Sequence, residues 1–187
     1  MRYIGNDGVG AFSIACYYCP FVFMIGNAIA QSAQPIISYN YGTGSKSRVV
    51  ATEKLAILAA LLCGIAVTSA FVFTPSAMVH LFLDADLPAA KIAVRVFPIF
   101  SVAFIAFIFN LTAIGYFQSV EKVIPSIGFA LLRGLVFLVP AFILMPMVCS
   151  ETGIWLALGV SEILTSLSII AYYLFNRRKV ISAGIIS

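Results

Sequence analysis

Five long stretches of this chain are almost free of formal charge. Residues 8–45, 55–83 and 96–120 hold no Asp, Glu, Lys or Arg; residues 123–150 hold only Arg133, and residues 152–176 only Glu162. A helix needs roughly 20 apolar residues to cross the hydrocarbon of a bilayer, and each stretch is long enough. Backbone N–H and C=O groups find no water in lipid, so only helices and closed barrels span it. A barrel would show alternating segments of about 10 residues. Runs such as 56–67 and 102–109 are apolar throughout and do not alternate. The sequence predicts an all-α integral membrane protein with five transmembrane helices, at about 9–39, 55–82, 89–118, 124–148 and 154–176.

Composition agrees. Only 10% of the 187 residues are charged and 62% are hydrophobic, against about 25% charged in soluble domains. The net charge of +4 comes from basic residues in short segments between apolar runs, the pattern of topology determinants and not of a nucleic-acid surface. Cys16 and Cys19 make a Cys-x-x-Cys without the strand–helix context of a redox site, so they read as packing residues, as do Cys63 and Cys149. His80 has no companion metal ligands, and Asp84 and Asp86 beside it read as a solvated loop. No catalytic set is present, so no enzyme is expected, nor any bound cofactor.

Basic residues also orient the chain. Lys46, Arg48 and Lys54 in a loop after the first span, Lys122, and the tail residues Arg177, Arg178 and Lys179 fall on one side; Arg2, Lys91 and Arg95 fall on the other. The positive-inside rule then predicts a cytoplasmic C-terminus and an outside N-terminus. The first apolar run is too long for a cleavable signal peptide. An outside N-terminus without a signal is what a chain lacking an upstream helix would present. Pro20, Pro35, Pro75, Pro98, Pro125, Pro140 and Pro146 predict kinks.

Few polar side chains lie within the spans. Asn27, Gln31, Gln34 and Ser38 are spaced to share one helical face, which serves either as interhelical glue or as a wall of a wet cavity that meets substrate. Asn110, at the centre of the third span, takes either a hydrogen-bonding or a cavity role. Arg133 and Glu162 come to similar depths on adjacent antiparallel helices, so an ion pair fits: a clamp within the bundle or a coupling site. Ala60, Gly64 and Thr68 form a small-residue face for close helix packing.

Gln34-Pro35-Ile36-Ile37-Ser38-Tyr39-Asn40-Tyr41-Gly42 resembles the Q-P-x-x-x-Y-N-Y-G signature of the multidrug and toxic compound extrusion (MATE) family. Gly115-Tyr116-Phe117-Gln118, Leu132-Arg133-Gly134 before Pro140, and Gly153-Ile154-Trp155 before Ser161-Glu162 resemble later segments of that family in the same order. The resemblance implies a twelve-helix, two-lobe transporter, of which residues 1–187 supply helices eight to twelve of the C-terminal lobe and the N-terminal lobe is absent. It further implies export of small amphipathic or cationic substrates in exchange for Na⁺ or H⁺, from the plasma membrane, by alternating access. One branch of the family couples through acids in the seventh and tenth helices; here the tenth carries Asn110 and no acid, closer to the branch that couples through the first lobe. Two other readings are a lipid-linked oligosaccharide flippase of the same architecture, which would need several cavity bases, and a non-transporting scaffold or inactive fragment.

Overall fold

Helix α1 (Gly5–Gly42) takes up the first uncharged stretch except its last three residues. The computed structural model describes the backbone of residues 5–182 and the side chains of residues 5–176, so Arg2, Arg177, Arg178 and Lys179 lie outside the described side chains. The buried residues of α1, among them Ala11, Ala15, Tyr18, Val22, Gly26, Ala33, Ile37 and Asn40, recur every three or four positions and make one stripe. Pro20 and Pro35 sit inside the helix without ending it. The turn that follows holds only Thr43, Gly44 and Ser45. Gly44 takes φ 74°, a region that only glycine enters freely, and Ser45 N–H donates to the Asn40 carbonyl at 2.9 Å.

Helix α2 (Lys46–Phe73) therefore starts and ends earlier than the predicted 55–82. Lys46, Arg48 and Lys54 stand on its first turns and not in a loop. Charge ends an apolar span but not a helix, since lysine and arginine propagate helix well and their heads reach water from the membrane edge. The far end is set by Pro75, which restricts the residue before it. Thr74 leaves the helical region at φ −129°, ψ 48°, and a short α3 (Pro75–His80) follows.

The predicted third span, 89–118, is two helices, α4 (Pro88–Ser101) and α5 (Ala103–Ser119), bent by 45°. Pro98 supplies no N–H to the preceding turn, and the axis breaks one turn later. The break is satisfied from within and from a neighbour: Ser101 Oγ donates to the Pro98 carbonyl at 3.0 Å, and Thr68 Oγ1 of α2 donates to the Ser101 carbonyl at 2.9 Å.

The fourth and fifth spans are helical almost without interruption: α6 (Val123–Leu131), a π-helical segment (Leu132–Phe137) and α7 (Leu138–Ser182). They nevertheless form a hairpin. At Ser150 the backbone leaves the helix, at φ 51°, ψ −129°. Arg133 and Glu162 would be roughly 43 Å apart along a straight helix at 1.5 Å per residue, yet their side chains meet at 2.9 Å. Gly153 packs directly on the Met145 carbonyl, where a Cβ has no room. The arms 138–149 and 151–182 thus run antiparallel, and Phe142 and Trp155, one on each, both meet the ring of Phe12.

Helix α5 is central. Small residues bring α1 and α2 onto it: a Cβ on Gly64 would stand 2.9 Å from Ile105 Cα, and one on Gly115 2.7 Å from Ala30 Cβ. Such approach lets backbones pack where lipid gives no hydrophobic drive. Ala60 and Thr68 are buried on the same face as Gly64, as the sequence predicts. An aromatic cluster of Tyr18, Phe71, Phe97 and Phe104 fills the other end, and Tyr18 Oη donates to the Met78 carbonyl at 2.7 Å, which ties α3 down. Five long apolar passes result: α1, α2, the bent α4–α5 pair and the two arms of the hairpin. Among the described residues there is no strand.

Candidate functional site

Two polar features lie at membrane depth. The first is internal. Glu162, 2% exposed, sits on the second arm of α7 and faces Asn110 of α5, which is fully buried. Arg133 Nε donates to both carboxylate oxygens, at 2.9 and 3.0 Å. Asn110 Nδ2 donates to Glu162 Oε2 at 2.8 Å and lies 2.9 Å from the Glu162 main-chain carbonyl. The Ser166 hydroxyl, one turn on, reaches Asn110 Oδ1 at 2.9 Å and the same carbonyl at 3.0 Å, and donates to one at a time. The guanidinium of Arg133 lies 4.0 Å from the centroid of Phe107, a cation–π contact.

Local sequence explains the assembly. Phe107 and Asn110 are three apart on α5, and Glu162 and Ser166 four apart on α7, so each pair shares a face. Arg133 falls in the π-helical segment, whose wider turn changes which way its side chain leaves the helix; such segments recur at functional sites. The pairing of Arg133 with Glu162 is present. Of the two readings of Asn110, the structure shows the hydrogen-bonding one: its amide is held between the Glu162 carboxylate and the Ser166 hydroxyl. Sequence reasoning missed Phe107, although its place one turn before Asn110 was a usable signal.

The second feature is external. Gln31 and Gln34 are exposed and Asn27 is half-buried. None of the three amides makes a hydrogen bond among the described residues. Only Ser38 of that stripe ties helices together, by donating to the Ser119 carbonyl at 3.1 Å. Among the described residues, then, the amides tie no helices together. They sit on the face of α1 that this chain leaves uncovered, with Tyr17 and Met24 also exposed there. Gln34, Pro35, Tyr39, Tyr41 and Gly42 of the signature segment are exposed as well, and Asn40 alone is buried.

Comparison with known proteins gives one family. The MatE family model matches residues 1–143, which include α1 to α6 and Arg133 but stop short of Glu162. No curated protein and no solved structure gives a significant match. Members of this family are transporters and not enzymes. A match over most of the chain, on an all-helical fold of long apolar passes with its polar groups turned inward or onto one face, leads to one conclusion: the chain belongs to the MatE family of membrane transporters.

Proposed function

We propose that this chain forms part of one lobe of a two-lobe antiporter that exports small amphipathic or cationic compounds in exchange for Na⁺ or H⁺, with the amide face of α1 as part of the substrate path. The observation that carries this reading is the unpartnered amide stripe. Gln31 is eleven residues from the end of α1 at Gly42, so about 16 Å in from that edge, and Asn27 and Gln34 lie one turn to either side. That is near the middle of a hydrocarbon layer about 30 Å thick. An amide facing lipid there is unsatisfied, whereas a wet cavity against a second lobe satisfies it. The stripe carries no fixed charge, which suits an amphipathic compound better than a strongly charged anion.

Basic side chains at one end of the bundle (Lys46, Arg48, Lys54 and Lys122) outnumber those at the other (Lys91 and Arg95). This supports an orientation with the α2 start and the C-terminus in the cytoplasm. The ion pair of Glu162 with Arg133 acts as a clamp that holds the hairpin against α5. A flippase for a diphosphate-linked lipid would need free bases in its cavity. Arg133, the one base at mid-membrane depth among the described residues, is committed to Glu162.

The test is reconstitution into liposomes with uptake of a fluorescent cation driven by a proton or sodium gradient. The chain alone should show no gradient-driven uptake, because on this reading the substrate path lies between two lobes, and uptake should appear when a complementary N-terminal lobe is supplied. Robust uptake by the chain alone overturns the half-lobe reading.

A further inference from the structure

Asn40 Oδ1 is the one buried side-chain polar atom without a hydrogen-bond partner among the described residues. The amide cannot be turned round to relieve it, because Nδ2 donates to the Ile36 carbonyl at 2.8 Å. Asn40, 6% exposed, lines a cavity of about 350 Å³ at the basic end of the bundle, together with Lys46 and Lys122. Among the described residues neither lysine forms an ion pair. Two helices begin here, α2 at Lys46 and α6 just after Lys122, and neither has a side-chain cap. Their positive ends add to the two ammonium groups. The rest of the lining, including Val49, Val50 and Tyr116, is apolar or aromatic.

This mouth opens onto apolar surface. Tyr116 also lines a trough of about 180 Å³ between α2, α5 and the second arm of α7, with Ile57 and Ile169 on its walls. Val50 also lines a further hollow of about 390 Å³ that descends α2 past Ile57 to Leu61. Along α2 that descent is about 16 Å. A cationic mouth, a buried acceptor that needs a donor, and an apolar channel at the membrane edge together match one molecular shape.

We propose that this groove binds a phospholipid whose phosphodiester sits between Lys46 and Lys122, whose headgroup hydroxyl or ammonium donates to Asn40 Oδ1, and whose acyl chain follows the trough along α2. Basic pockets between transmembrane helices bind anionic headgroups in this way. Glu53 borders the trough beyond the lysines. A free phosphate shares the anion chemistry but supplies neither a donor nor a chain. The inference holds in either orientation of the protein and does not rest on what is exported.

The test is native mass spectrometry of the detergent-solubilised chain titrated with phosphatidylglycerol, which has headgroup hydroxyls, and with phosphatidylcholine, which has no donor. Phosphatidylglycerol should be retained in preference. Lys46→Gln/Lys122→Gln should weaken it about 25-fold, at roughly fivefold per lysine, and Lys91→Gln/Arg95→Gln at the other end should not. Asn40→Leu should narrow the preference over phosphatidylcholine. Should a variant lose helicity by circular dichroism, wild type at 1 M salt, where screening acts within about 3 Å, must loosen phosphatidylglycerol and leave phosphatidylcholine unchanged. Retention by the double variant as strong as wild type overturns the proposal. So does displacement by equimolar inorganic phosphate, or a dimer that excludes lipid from the groove.

Discussion

Replacing Glu162 by alanine separates two accounts of what the buried polar network does. If it is a set of hydrogen bonds, the loss is modest: interhelical hydrogen bonds in membranes average about 0.6 kcal/mol, so the Arg133 and Asn110 contacts sum to about 1–2 kcal/mol. If it is a clamp built on charge, removing the carboxylate leaves the Arg133 guanidinium, 15% exposed in its side chain, without its counter-charge. Breaking a buried pair on one side costs about 3–5 kcal/mol. Asn110 is not stranded by the change, because it keeps the Glu162 main-chain carbonyl and Ser166. Removing both charges, as Arg133→Met/Glu162→Met, should therefore recover most of the stability, to within about 1.5 kcal/mol of wild type. The assay is reversible unfolding in bicelles by SDS titration, followed by circular dichroism. A single-variant loss under about 2 kcal/mol, or a double variant no more stable than the single, would refute the charge account.

Three other outcomes follow from the packing and the exposed face. Gly64→Val places side-chain atoms against the Ile105 backbone and should cost about 1–3 kcal/mol by overpacking, read by the same titration. Gly153→Ala drives a Cβ into the Met145 carbonyl at the hairpin turn; it should open the turn and expose the 145–155 region to proteolysis, and unchanged proteolysis would count against the reversal at Ser150. In a background without native cysteines, Gln34→Cys should react with a water-soluble maleimide and Asn110→Cys should not, since Gln34 is exposed and Asn110 fully buried. Labelling at both positions would contradict the placement of the network.

Much of the fold was legible because the membrane imposes its requirement one residue at a time. An uncharged stretch of sufficient length must become a helix in lipid, and that criterion locates all five passes. The small-residue face of Ala60, Gly64 and Thr68 follows from helical periodicity, and the matched depths of Arg133 and Glu162 follow from the helical rise and the topology set by the basic residues. Helix ends were less legible. Lys46 and Arg48 belong to α2 because the hydrocarbon edge limits where charge sits and not where backbone hydrogen bonds stop. Breaks at Thr74 and Val102 follow Pro75 and Pro98, but how far each break lies from its proline depends on which neighbour satisfies the freed carbonyls, as Thr68 does for Ser101.

By itself, then, the sequence determined that the chain is a bundle of membrane-crossing helices and which side chains are polar at depth. Only the tertiary structure decided what those side chains do. Asn110 and Gln31 look alike in sequence, both being amides amid apolar residues. One is closed in by Glu162 and Ser166, and the other is left on an open face. The difference lies in which helices stand beside them, and contacts between residues far apart in the chain are set by three-dimensional packing and not by local pattern.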